Sequence, residues 1–336
     1  MFRVYGQKTA IDFLKDSIHK SRLHHAYLFS GPSHIGKFTV AIQLAQAVNC
    51  LDEDPPCRIC HSCVKIEKGI HPDVRIIGTE MDDTQTASGS IGIDVVGEIH
   101  GMANLKPFEG KSHVFIIDRA ERLTRDAANA LLKILEEPPD GSLLILVTTD
   151  IRAILPTVMS RSQVVDFLQV PQRRIVELLR DDYAASVEQA DHISRLSQGR
   201  VGWAIEAVTN PEVLAFLHQR LERISEVCSA DVEDRFIYAN ELSVRFQRDR
   251  ETVREEFRLW VAWWRDIFLI LQGRGEQITF EGWRNTLIQI AGGLSMVDTL
   301  DWIERLYESL NALDRNVIPR LVLEALMLKL PGGSKS

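Results

Sequence analysis

The sequence contains no apolar run near the roughly 20 residues that a membrane-spanning helix needs, so no such helix is expected. Its opening residues, MFRVYGQKTA, lack the apolar core of a signal peptide, and a cytoplasmic protein is the expectation. Basic charge is not in excess either. With 39 Lys and Arg against 47 Asp and Glu, the net charge of -8 argues against holding nucleic acid by bulk electrostatics, so any DNA contact is expected to be shared with partners. Cysteine is scarce, five in 336 residues, and disulfides are not expected in a cytoplasmic chain. Apolar residues are not scarce. At 45% they suffice, at this length, for two or three domains with cores of their own.

The chain is organised around Gly31 to Thr39, GPSHIGKFT, directly after the apolar run Ala26 to Phe29. A short buried strand that runs into a glycine loop and opens a helix leaves backbone N–H groups aimed at an anion, the arrangement that holds phosphate. Gly31, Gly36 and Lys37 occupy the G-x-x-x-x-G-K positions of a P-loop, with Lys37 placed to reach the outer phosphates. The next position breaks the pattern. Phe38 stands where a Ser or Thr hydroxyl would ligate magnesium, and Thr39 comes one residue late, so metal-assisted hydrolysis is not expected.

Four of the five cysteines, Cys50, Cys57, Cys60 and Cys63, form a C-x6-C-x2-C-x2-C array. Two C-x2-C steps sharing one cysteine, with a fourth thiol close by, suit a closed, tetrahedral, structural Zn2+ site. Cys228 stands alone and is read as a buried apolar residue. Glu80 to Ser90 is polar and poor in apolar residues, the composition of a surface loop.

Val114 to Asp118 reads as a buried strand ending in the carboxylate that would orient magnesium, Asp118. An ATPase often continues with a glutamate that polarises water. Here Arg119 follows, which cannot accept a proton, and Glu121 lies two residues further on. Asn129 to Pro139 is a helix stopped by two prolines, and Leu143 to Thr149 a strand whose terminal Thr149 could sense a phosphate through its hydroxyl. Ser160, Arg161 and Ser162 then lead into a last strand, Val164 to Phe167.

HAYLFSGP followed by GK, the four-cysteine insert, HPD, IID, NALLKILEEPP, TT and SRS occur in one order. This closely resembles the bacterial clamp-loader family, the AAA+ subunits of the DNA polymerase III holoenzyme, over about Val4 to Phe167 and more weakly to Leu330. The resemblance implies an α/β fold: an AAA+ P-loop parallel-sheet core over 1–167 with a zinc module at 50–63, a helical lid over 168–209, an all-α collar over 210–331 and a disordered tail at 332–336. Gly31, Gly36, Lys37, Thr39, Asp118 and Thr149 become the nucleotide positions, permitting ATP binding or only preserving the loop's shape. Arg161 becomes an arginine finger acting in trans. A sensor arginine expected in the second domain falls on Gly202 in SQGRVGWA, with Arg200 two residues early. The implied protein is a stationary ring subunit that helps open a sliding clamp, with gamma/tau and delta subunits, the beta clamp and primed DNA as partners. Two other readings remain: a gamma/tau-type ATPase with Thr39 serving magnesium and Glu121 as base, and a zinc-dependent nucleic-acid-binding module.

Beyond Pro211 the pattern is helical. Phe257, Trp260, Val261, Trp264, Ile267, Phe268 and Leu271 keep the spacing of one helix face and are read as core. Arg245 to Arg258 alternates in sign and reads as a solvated face or subunit contact. The last helix, Arg320 to Leu330, is apolar nearly all round and is expected to be buried.

Overall fold

A computed structural model describes residues 2–78, 90–313, 315 and 317–332. The expected polar loop lies outside them up to residue 89, as do residues 333–336 of the tail. The chain divides into two compact units, Met1–Ala184 with Gly199–Ile205, and Ala185–Gln198 with Glu206–Ser336. Among the described residues no helix is long and apolar enough to cross a membrane.

The first unit runs α1 (Lys8–His19), β1 (Ala26–Ser30), α2 (Lys37–Asn49), α3 (His61–Glu67), β2 (Val74–Ile77), α4 (Ile93–Ala103), β3 (His113–Ile117), α5 (Arg125–Glu136), β4 (Ser142–Thr148), α6 (Pro156–Met159), β5 (Gln163–Asp166) and α7 (Gln172–Asp181). The strands form one parallel sheet in the order β2-β3-β4-β1-β5. Helices cover both faces, which is why β1 and β3 are buried at every residue and read as unbroken apolar runs. Successive side chains of β1 divide between two cores. Tyr27 and Phe29 pack with Leu14, Val40 and Leu44, while Ala26 and Leu28 pack with Val96, Leu131 and Ile134.

The second unit contains α8 (Val187–Ser197) and everything from Glu206, within α9 (Val201–Thr209), onward: the helices α10 (Pro211–Ser229), α11 (Val232–Arg248), α12 (Arg250–Leu271), α13 (Arg284–Ala291), α14 (Met296–Leu313) and α15 (Pro319–Leu328). Trp260, Trp263 and Trp264 of α12 are buried, and Trp302 of α14 packs edge-on to Trp260 and tilted against Trp264, with ring centroids 6.3 and 5.8 Å away. The tryptophan stripe is therefore core. Two expectations need correction. Within the charged stretch, Glu256 points inward: it is 2% exposed and accepts from Arg220 Nε at 2.8 Å and from the Tyr238 hydroxyl at 2.9 Å. Those partners sit on α10 and α11, far away in sequence, and they compensate a carboxylate that would otherwise be costly to bury. The last helix is not enclosed. Leu323, Leu326 and Met327 are buried, whereas Leu321 and Leu328 are 57% and 56% exposed, because nothing among the described residues covers the helix's second apolar face.

Candidate functional site

The glycine loop follows β1 in a shape that side chains would prevent. Gly31 has φ 148°, and a Cβ there would lie 2.3 Å from the Phe167 carbonyl oxygen; Gly36 has φ 96° and faces Val4 at 2.7 Å. Lys37 opens α2 and is 5% exposed. Its Nζ donates to the carbonyls of Gly31 at 2.6 Å and Pro32 at 2.5 Å, so the ammonium turns onto its own loop. Phe38 packs against the first core. Thr39 is exposed and lies about 200° around the helix from Lys37.

Asp118 follows β3, with its N–H bonded to the Ile77 carbonyl. Burial pushes its carboxyl above the usual carboxylate range; Glu121 adds to this, and Arg119 and Lys37 oppose it. Glu121 Oε1 accepts from Thr149 Oγ1 at 2.7 Å, so the strand-end hydroxyl is already engaged. Glu121 Oε2 is buried without a partner among the described residues. Sequence reading missed this clamp. No residue pattern joins the two, because Glu121 sits in a single 3-10 turn, Ala120–Arg122, and Thr149 follows a strand 28 residues on.

The start of α9 closes on the loop tip. Gly202 N–H donates to the His34 carbonyl at 2.6 Å, and a Cβ on Gly202 would lie 2.7 Å from that oxygen. Arg200 stacks over the Trp203 ring at 5.6 Å. The expected sensor position is thus held by backbone alone.

Arg161 lies at the other end of the sheet. β5 runs parallel to β1 with Tyr27 opposite Gln163 and Ser30 opposite Asp166. The loop at Gly31 leaves the carboxyl end of β1, whereas Arg161 precedes the amino end of β5, and the strand between spans roughly 10 Å. Gly31, Lys37, Asp118 and Thr149 therefore lie at the carboxyl end of the strands, and Arg161 does not join them.

The four cysteines converge. Cys50 and Cys63 are buried, Cys57 and Cys60 half-buried, and their sulfurs all lie within 4.8 Å of one another. A tetrahedral ion with metal–sulfur bonds of about 2.3 Å sets its ligands roughly 3.8 Å apart, so the cluster fits one. Backbone N–H groups already point at sulfur: Asp52 and Cys57 on Cys50 at 3.4 Å, and Cys60 on Cys57 at 3.3 Å. Burial alone would raise the Cys60 thiol, but the N–H groups of Leu51 and Cys63, together with the Cys57 and Cys63 side chains, outweigh it and bring it down to about 6. His61 is exposed beside them. The cluster is tied to the sheet by residues that sequence reading left unassigned. Asn49 Oδ1 accepts from the N–H of Lys111 at 2.8 Å and of Ser112 at 3.0 Å, and Asp73 accepts from Phe108, Glu109 and Gly110 at 2.7, 2.9 and 2.7 Å.

A P-loop beside the central strand of a parallel sheet ordered β2-β3-β4-β1-β5, with a four-cysteine insert after the first crossover helix, defines a P-loop domain of the AAA+ class. The family described as DNA polymerase III, delta subunit, matches residues 6–171. The delta' subunit of Bacillus subtilis DNA polymerase III is 27% identical over 331 residues, 97% of this chain and 97% of that protein. The gamma/tau subunit of Mycobacterium bovis is 35% identical over 178 residues, and the tau subunit of Bacillus subtilis 37% identical over 175. Each of these two matches takes in 52% of this chain and 30% of the relative. Over these stretches the chain is similar to DNA polymerase III delta' and gamma/tau subunits.

Proposed function

We propose that the chain is a delta prime-type subunit of a bacterial clamp loader, a stator that helps open a sliding clamp and place it on primed DNA. One observation carries this reading. The residue suited to act on a neighbour's nucleotide, Arg161, is retained at the end of the sheet away from the chain's own loop, while that loop is turned inward on Lys37. Arg161 would meet the gamma-phosphate of ATP on an adjacent gamma/tau subunit and stabilise transition-state charge there, a role worth about a thousandfold or more in rate. Gly31, Gly36, Lys37, Thr39, Asp118 and Thr149 keep the outline of a nucleotide site in which ATP binds without effective turnover. Phe38 supplies no metal ligand, Arg119 no base, and Gly202 no cation.

Cys50, Cys57, Cys60 and Cys63 would hold a structural Zn2+, which when bound cross-links the end of α2 to the start of α3. We divide the chain into a core at 1–167, a lid at 168–209 and a collar at 210–331. The collar would join gamma/tau and delta subunits, and the exposed apolar face of α15 supports that assignment. Contact with the beta clamp and with primed DNA would come through the assembled complex, in the bacterial cytoplasm. No observation favours a motor subunit: Thr39 faces outward and Glu121 holds Thr149.

Steady-state ATP hydrolysis tests this. The purified chain should show no turnover. A loader reconstituted with Arg161→Ala should lose a large part of the wild-type rate, on the order of a thousandfold at the affected site. Turnover by the isolated chain would reassign it as a motor subunit.

A further inference from the structure

The guanidinium of Arg161 is held before any phosphate arrives. Its Nη2 lies 2.8 Å from Glu136 Oε1, and its Nη1 donates to the Thr157 carbonyl at 3.0 Å and to Ser160 Oγ at 3.4 Å. Glu136 is the last residue of α5, and Arg161 follows α6. Ile134 and Leu135, just before Glu136, share one core cluster with Val158, just before Arg161. Both ends of the ion pair are thus fixed to the same packed layer although the pair itself is at the surface. Three acceptors engage part of a fork that has five N–H donors, leaving others for an incoming anion. An arginine without such a partner would have many rotamers to lose on meeting its target.

We propose that Glu136 is a positioning residue for the arginine finger: its carboxylate fixes Arg161 in one rotamer, so that the remaining donors reach a neighbouring subunit's terminal phosphate already aligned. This rests on the reading of Arg161 as a finger acting in trans. Glu136 itself touches no nucleotide. Its contribution is to the transition state, so it acts on kcat and leaves KM for ATP nearly unchanged.

The test is ATP turnover by the loader reconstituted with gamma/tau and delta subunits, clamp and primed DNA. Glu136→Ala should lower kcat about tenfold, the share of arginine rotamer freedom that the pair removes. Glu136→Gln keeps an acceptor oxygen and should stay within about threefold of wild type. In an Arg161→Ala background, adding Glu136→Ala should change nothing further, because the residue it positions is gone. Wild-type or faster turnover by Glu136→Ala overturns the proposal, as does the same loss persisting in the Arg161→Ala background. If Arg161→Ala alone turns over like wild type, the trans-finger reading fails, and the role of Glu136 fails with it.

Discussion

Asp73 carries no chemistry of catalysis, yet it is the residue on which the surroundings of the cysteine cluster depend. It is 1% exposed and its carboxylate receives three backbone N–H groups. Burial would raise its pKa, but those donors outweigh it and the carboxyl sits below its ordinary 3.8. An acid depressed in the folded state adds stability that is present above the unfolded value and lost as pH falls through the folded one. Asp73→Asn is therefore expected to cost about 2 kcal/mol at pH 7, with the gap from wild type narrowing below about pH 4. Urea unfolding at pH 7 and at pH 3.5 measures it, and a gap of constant size would show that charge plays no part. The HPD motif was visible in the sequence, but the role of its aspartate was not. Its partners lie 35 to 37 residues away, and backbone donors leave no trace in residue types. Glu121 was hidden for a different reason, since its effect depends on a 3-10 turn that no periodicity announces.

Among the elements, the strands and the phosphate loop were legible because unbroken apolar runs and glycine punctuation have few other outcomes. The inward Glu256 was not, because one buried carboxylate in a sign-alternating helix looks like its solvated neighbours until Arg220 and Tyr238 are placed beside it. The cysteine array was legible to the residue, as spacing alone predicts convergence. The proposed ion should govern thiol reactivity. With the ion bound, none of the five thiols should react promptly with an aromatic disulfide reagent. After chelation the half-buried Cys57 and Cys60 should react, and the buried Cys50 and Cys63 should follow as the emptied module loosens, with a lower melting temperature of the first unit. Cys228 should stay silent until the chain unfolds, since it is 2% exposed and burial pushes its thiol up to about 12. Five fast thiols after chelation would show that Cys228 is not enclosed.

For the whole molecule, the proposed collar assigns the exposed face of α15 to a neighbouring subunit, and such a cover would leave no mark in the chain's own sequence. Leu321→Glu with Leu328→Glu should leave the isolated protein within about 0.5 kcal/mol of wild-type stability, as exposed positions usually do. The same pair should reduce co-elution with gamma/tau and delta subunits at least about tenfold. Full assembly by this variant would remove α15 from the interface. A large loss of stability in the free chain would instead mean that the face is covered from within.

Gly202, 2.6 Å from the His34 carbonyl through its N–H, bears on what it would take to build a working nucleotide site into this chain. An arginine placed there would set its Cβ 2.7 Å from that oxygen, so residues 199–205 would have to lift before the side chain could fit. Phe38 and Arg119 differ from it in kind, because each withholds a function through its side chain, whereas residue 202 withholds one through a main-chain contact. An engineer could therefore exchange the first two at the bench and still face a closed door at the third.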